Sequence, residues 1–261
     1  EMKWHWIRLE ETSSTQIVAK QLAAEDPGQH RIVIARRQNS GKGRRGNSWQ
    51  SPDGGLWCTL SIPLKGPADP FLNLLLALAV QEGVSALLKE SAGLSIKWPN
   101  DLLARGQKWG GILSEVISAG NGQEVLMGLG LNLQISAADL QKETEIPSDA
   151  TSIMAEFGQS PSPEESLESI LSVFEEILKE DSTLGGRSRN RLRIASHLDT
   201  IGRSIIWKDL QGNIGEGEAV SIAEDGALIV EIDSAGSKHM LELRSGEVHH
   251  VRPANDGSMP S

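Results

Sequence analysis

KWPNDLLARGQKWGGIL, residues 97–113, puts a strand end, a turn and a hairpin into one short stretch. Pro99 has no N–H and a fixed φ, so it closes the strand before it, LSIKW, and leaves Asn100 and Asp101 at the strand's exit. Polar side chains placed there can face a ligand beyond the sheet. ARGQK has the composition of a hairpin tip, and Lys108 falls eleven residues beyond Lys97, on the returning strand. Gly110 and Gly111 carry no side chains, so another group can approach the backbone closely. Taken alone, the same pattern also describes a surface turn.

Towards the N-terminus lies GKGRRGNSW, residues 41–49. From Arg31 to Pro52 the chain carries Arg31, Arg36, Arg37, Lys42, Arg44 and Arg45 without one carboxylate, although the formal net charge of the whole chain is −10. An acidic protein is not built to coat DNA or RNA, so a local basic cluster points to a compact anion. N–H groups exposed by Gly41, Gly43 and Gly46 can close on an oxyanion, with Lys42, Arg44 and Arg45 supplying charge. Lys42 is followed by Gly43, which excludes a Walker A loop, and NSWQSPDGG cannot open the helix that a dinucleotide fingerprint needs. A nucleotide or acyl-phosphate site, a nucleic-acid contact and a solvated basic loop all remain open on this chemistry.

Two further stretches are polar where their surroundings are not. In ETSSTQIVAK, Ser14, Thr15 and Gln16 sit at a predicted helix start, where they serve as caps or as hydrogen-bonding partners of a neutral urea or amide. In GLGLNL, Asn132 lies within an apolar strand and requires partners. The strand's glycines thin it where something comes close.

The remaining pattern is that of a globular chain. RIVIARR and GLWCTLSIPL read as strands, residues 39–55 as a loop, residues 70–90 as a long buried helix, and SPEESLESILSVFEEILKED as a capped amphipathic helix. Residues 134–150 read as a polar loop. From Ile201 onward, short alternating strands with turns such as EDGA and QGN suggest a small β-barrel. These boundaries divide the chain into residues 1–198, 199–252 and a disordered tail, 253–261. The single cysteine, Cys58, lies in an alternating apolar run and reads as a packed strand residue in a protein of a reducing compartment. With no run of about 18 apolar residues and a charged start, EMKWHWIRLEE, the expectation is a cytoplasmic protein without membrane contact.

Each motif is weak alone, but SSTQ, QNSGKGRRGNSW, KWPNDLLARGQKWGGIL, GLGLNL and TSI in this order resemble the biotin protein ligases, over residues 10 to about 155. The resemblance implies an α+β fold: a mixed-sheet catalytic domain of the biotin/lipoate ligase type, helices on one side, and a small SH3-like C-terminal β-barrel. It implies activation of biotin by ATP with Mg²⁺ to biotinyl-5′-AMP, then transfer to a lysine of a biotin carboxyl carrier protein or domain. Position by position, Ser14, Thr15, Gln16 and Gln38 would meet the ureido ring. Gly41, Lys42, Gly43, Arg44 and Arg45 would close over biotin and the adenylate phosphate, with Trp49 as a wall. Lys108 matches the family's essential lysine. Asp101 and Asn100 would orient it or the acceptor amine, Gly111 follows it, and Asn132 lies near the adenylate. Thr151 and Ser152 would end the segment over the adenine.

Two positions depart from the pattern. Gln16 stands where many relatives have Asn, and Lys42, a point charge, stands where relatives often have the planar fork of Arg. No direct metal-ligand motif accompanies the site; Mg²⁺ arrives with ATP. The first strand begins at Trp4, leaving no room before it for the helix-turn-helix that some relatives carry, so specific DNA binding is not expected. A homodimer through sheet edges is a further expectation of the resemblance. The alternative function is that of a lipoate or octanoate ligase or transferase of the same fold.

Overall fold

The computed structural model describes residues 2–89, 93–142, 150–234 and 236–251; the tail expected over 253–261 lies outside them. The larger sheet contains β1 (His5–Thr12), β2 (Arg31–Lys42), β3 (Ser48–Ser51), β4 (Leu56–Leu64), β5 (Leu94–Lys97), β6 (Asp101–Ala104), β7 (Gln107–Ala119) and β8 (Gly122–Leu131). Their order is β1-β2-β4-β8-β7-β6-β5, with β3 paired to the end of β2. β1 and β2 run parallel and the neighbouring pairs beyond them antiparallel, which makes the sheet mixed, as expected.

Side-chain alternation gives this sheet two covered faces. Ile32 and Ile34 of β2 join the main core with α2 (Leu72–Leu87) and α5 (Pro163–Asp181), whereas Val33 between them packs with α1 (Thr15–Glu25) through Ala19 and Ala23. The expectation of helices on one side therefore fails for α1, which covers the opposite face. α2 is apolar nearly all round because it lies between the sheet and α5, and a Cβ at Gly83 would stand 3.0 Å from the backbone of Ile170. α5 begins as its sequence predicts. Pro163 follows the cap, Ser162 Oγ accepts from Glu165 N, and Glu165 Oε2 accepts from Ser162 N at 2.9 Å.

Two segments differ from their sequence reading, and two helices had none. The glycine-rich stretch is no open loop: β2 extends to Lys42, a 3₁₀ turn spans Arg44–Gly46, and β3 pairs back on β2 from Ser48. Within the predicted 134–150 loop, Ser136 Oγ accepts from Asp139 N at 3.1 Å and caps α3 (Ala137–Lys142); residues 143–149 lie outside the described residues. The helices without a sequence reading are α4 (Ile153–Phe157), too short for a period to show, and α6 (Gly186–His197). α6 seats Ile194 in the main core, its Asn190 Nδ2 donates to Ile177 O at 3.2 Å, and at its rim Arg193 pairs with Glu82 at 2.6 Å and Arg189 with Glu180 at 2.8 Å.

The second sheet has the order β12-β11-β10-β9-β13 and is antiparallel. Its strands are β9 (Ser204–Lys208), β10 (Ile214–Ile222), β11 (Leu228–Ser234), β12 (Ser237–Leu243) and β13 (Glu247–His250). Ile205, Ala219, Leu228, Val230 and Val248 belong to the same apolar cluster as Phe71 and Leu74 of the larger unit. Polar contacts reinforce the seam. Trp98 Nε1 donates to Gly226 O at 2.9 Å, and Trp98 N donates to Thr200 Oγ1 at 3.0 Å.

His250 lies beside that seam, 3.2 Å from Thr200 Oγ1 and 3.5 Å from Asp199 Oδ2. Burial, aided by the charge of Lys97 and opposed by Asp199, pushes its pKa down to about 4. Burial also lowers His30 and His197. In the unfolded chain these rings take up protons near their ordinary value of 6.5, which the folded rings refuse. The unfolded state therefore binds more protons between pH 6.5 and about 4. Urea-denaturation midpoints are expected to fall as pH falls through that window, and His250→Gln should flatten the slope.

Candidate active site

A cavity of about 580 Å³ opens where the ends of β2, β4, β7 and β8 meet the start of α1 and the rim of the second sheet. Its floor is β8, and two glycines there make room for what lies above. A Cβ at Gly128 would stand 2.8 Å from Gln16 Oε1, and one at Gly130 would stand 2.8 Å from Trp49 Nε1. Gln16 and Trp49 therefore occupy successive places along the strand, and Lys108 Nζ lies 5.2 Å from the Trp49 ring centre. This layout separates an uncharged portion from a charged one.

The uncharged portion is a buried web. Thr15 N donates to Gln38 Oε1 at 2.8 Å, Thr15 Oγ1 meets Thr59 Oγ1 at 2.9 Å, and Thr59 Oγ1 donates to Gln16 Oε1 at 3.3 Å. Gln38 Nε2 donates to Ser51 Oγ at 2.9 Å, which ties the web to β3. Ser14 stands at the N-cap position of α1 but its side chain makes no capping hydrogen bond. With Thr15 and Gln16 it lines the cavity. Hydroxyl and amide groups without charge suit a neutral polar head such as a urea.

The charged portion is built on the β6–β7 hairpin. Arg105 and Gly106 both have positive φ, 50° and 82°, between the paired residues Ala104 and Gln107, as a tight two-residue turn needs. Arg105 is held there: its N donates to Gly93 O, its Nη1 donates to Glu156 O at 2.8 Å, and its guanidinium lies over Phe157. Leu102 pairs with Gly110 but Leu103 with Lys108, so Trp109 is an extra residue in β7. That bulge resets the side-chain alternation, and both Lys108 and Gly111 adjoin Asp101. Lys108 Nζ reaches Asp101 Oδ1 at 2.6 Å, each side chain about a quarter exposed.

Asn100 is buried and joins three parts of the site. Its Nδ2 donates to Ile112 O at 2.7 Å, and its Oδ1 accepts from Arg44 Nη1 at 3.0 Å. Asn132 lines the cavity and also ties down a chain segment: its Nδ2 donates to Thr151 O at 2.9 Å, while Thr151 N donates to Lys108 O at 2.8 Å. Lys42, Gly43 and Arg44 line the cavity. Gly41 does not; it is the pairing point of β2 with β3, where a Cβ would collide with Trp49 O. The side chain of Arg45 lies outside the described residues. Cys58 is packed as predicted, and burial pushes its thiol pKa up.

Several lining groups had no local signal. Thr59 lies in an apolar strand, and Glu247, Val248 and His249 come from β13 of the second sheet. Their place depends on how distant segments pack, which no spacing reveals. Among the described residues no three His, Cys, Asp or Glu side chains gather to hold a metal ion, and no helix is long and apolar enough to cross a membrane.

The biotin/lipoate A/B protein ligase family matches residues 8–132 of the chain. The biotin–[acetyl-CoA-carboxylase] ligase of Paracoccus denitrificans is 32% identical over 254 residues, covering 94% of this chain and 97% of that protein. The bifunctional ligase/repressor BirA of Bacillus subtilis is 32% identical over 245 residues, covering 91% of this chain and 72% of that protein. The biotin protein ligase of Aquifex aeolicus, solved in complex with biotin and ATP, superposes with a TM-score of 0.77 at 25% identity, covering 95% of this chain and 99% of that one. The chain belongs to the biotin protein ligase family and is a biotin ligase enzyme.

Asn132→Ala leaves Thr151 O without its donor in a buried place, at a cost of about 1–3 kcal/mol. Urea denaturation of the variant should show that loss, whereas an isosteric Asn132→Asp would add an unpaired charge and cost more.

Proposed function

We propose that this enzyme joins biotin to MgATP as biotinyl-5′-AMP and passes the biotinyl group to one lysine of a biotin carboxyl carrier protein or domain. In the first step a carboxylate oxygen of biotin attacks the α-phosphorus, the bond to pyrophosphate breaks, and a mixed anhydride forms. In the second, the acceptor amine attacks the acyl carbon, AMP departs, and the nitrogen gives up a proton. The observation that carries this reading is the Lys108–Asp101 pair, 2.6 Å apart and next to an uncharged hydrogen-bonding web in one cavity.

The physical difficulty of the first step is that two anions must come within bonding distance. A cation between them offsets the repulsion and stabilises charge that develops during in-line displacement. Lys108 has that role, and Asp101 holds its ammonium in line. Mg²⁺ travels with the nucleotide and neutralises the departing pyrophosphate. Ser14, Thr15, Gln16 and Gln38 hold the ureido ring, and Trp49 covers the bicyclic body. Lys42, Gly43 and Arg44 close over the anhydride and keep water from it. Asn132 lies near the adenylate, and Thr151 and Ser152 end the segment over the adenine.

Lys108→Ala should reduce biotin-dependent exchange of labelled pyrophosphate into ATP by about 100-fold or more, by comparison with loss of a single oxyanion-stabilising group. Its melting temperature should hardly move, since the side chain is partly exposed. Exchange at near wild-type rate would remove Lys108 from the mechanism. The same assay run with lipoate or octanoate in place of biotin decides the alternative substrate: exchange with those acids and none with biotin would overturn the proposal.

A further inference from the structure

The arginine of the basic hairpin has a second anchor, 202 residues away in sequence. Arg44 Nη1 donates to Asn100 Oδ1 at 3.0 Å and to Gly246 O at 3.3 Å. Asn100 is itself fixed on β7 through Ile112 O. Gly246 belongs to the turn that leads into β13, and the next three residues line the cavity. The guanidinium is therefore held between a side chain of the larger sheet and a backbone carbonyl of the smaller one.

That carbonyl is presented by a conformation closed to other residues. Gly246 has φ +138°, and a Cβ there would lie 2.6 Å from Lys208 O, which is backbone and cannot swing aside. The turn between β9 and β10 provides a contrast in the same sheet. Gly212 also has a positive φ, +90°, but a Cβ there would meet nothing within 4 Å.

We infer that Gly246 is a positioning residue of the ligase: by aiming its carbonyl at Arg44 it lets the second sheet hold the basic hairpin closed over the acyl-adenylate. The inference rests on the proposed role of Arg44 in covering that intermediate. The second sheet thus takes part in keeping the intermediate bound, beyond lending apolar surface to the fold. Closure involves a charged donor and a neutral carbonyl, a contact whose loss corresponds to about a tenfold change in an equilibrium or rate.

The test uses the full chain, loaded with labelled biotin and MgATP, stripped of free ligand, and followed for release of biotinyl-AMP. Gly246→Ala is expected to release it about tenfold faster than wild type, while Gly212→Ala releases it at the wild-type rate. Arg44→Ala should also release it faster, and adding Gly246→Ala to Arg44→Ala should change nothing more, because no guanidinium is left to aim. Wild-type retention by a folded Gly246→Ala, or the same acceleration in both backgrounds, overturns the inference. If Gly246→Ala does not fold, amide exchange replaces it. Adenylate should protect residues 244–248 in wild type and fail to do so in Arg44→Ala, while protecting residues 14–16 in both. Equal protection of 244–248 in the two proteins overturns the inference. A wild-type protein that forms no adenylate from biotin removes the proposed function, and this inference with it.

Discussion

The structure turns on the short segment Trp98–Asp101. Its first residue is keyed into the second sheet through the indole bond to Gly226 O and the backbone bond to Thr200. Its third fixes Arg44 and Ile112, and its fourth pairs with Lys108. Contacts that hold the two sheets together and contacts that shape the charged part of the cavity therefore pass through adjacent residues. A displacement of this turn cannot be local. It moves the lysine, the arginine and the seam at once, which explains why a motif with modest chemistry in isolation carries so much weight here.

Electrostatics sets the second constraint. The chain has a formal net charge of −10, so cations at the site are local exceptions kept by specific partners. Lys108 has Asp101, Arg44 has Asn100 and a carbonyl, and Lys108 also lies over the face of Trp49. A neutral acceptor or an aromatic face can orient a cation without adding a carboxylate beside it. The web around Thr15 and Gln38 follows the opposite rule: its groups are paired with one another and uncharged, with Thr15, Gln16 and Thr59 buried.

Much of this was legible where a local rule applied. Pro99 ended its strand, Arg105–Gly106 formed the hairpin tip, Ser162 and Glu165 capped α5, and Cys58 packed as an apolar residue. Asp101 and Lys108 came together because β6 and β7 are neighbours in the sheet, whereas Arg44, on the turn beyond β2, reaches Asn100 across the cavity with its long side chain. What escaped depended on register or on distance. β3 pairs through a strand extension that composition alone presents as loop, since its glycines and polar residues resemble a turn. α6 buries little beyond Asn190 and Ile194, too few apolar positions for a helical period to show. The bulge at Trp109 and the contributions of Thr59 and β13 are set by which residue faces which across the fold. Periodicity cannot encode that.

The apolar cluster common to both sheets restricts how such an enzyme can diverge. Interfaces between units of one chain are commonly polar enough for modules to be exchanged or to rock against each other. Here Phe71 and Leu74 lie against Gly226 and continue into Val230 and Val248, so the two units share one interior. A replacement module would have to reproduce that complementary surface as well as its own fold. Inheritance of the pair as a unit, with variation pushed to the outer strands and turns, is the evolutionary course this packing favours.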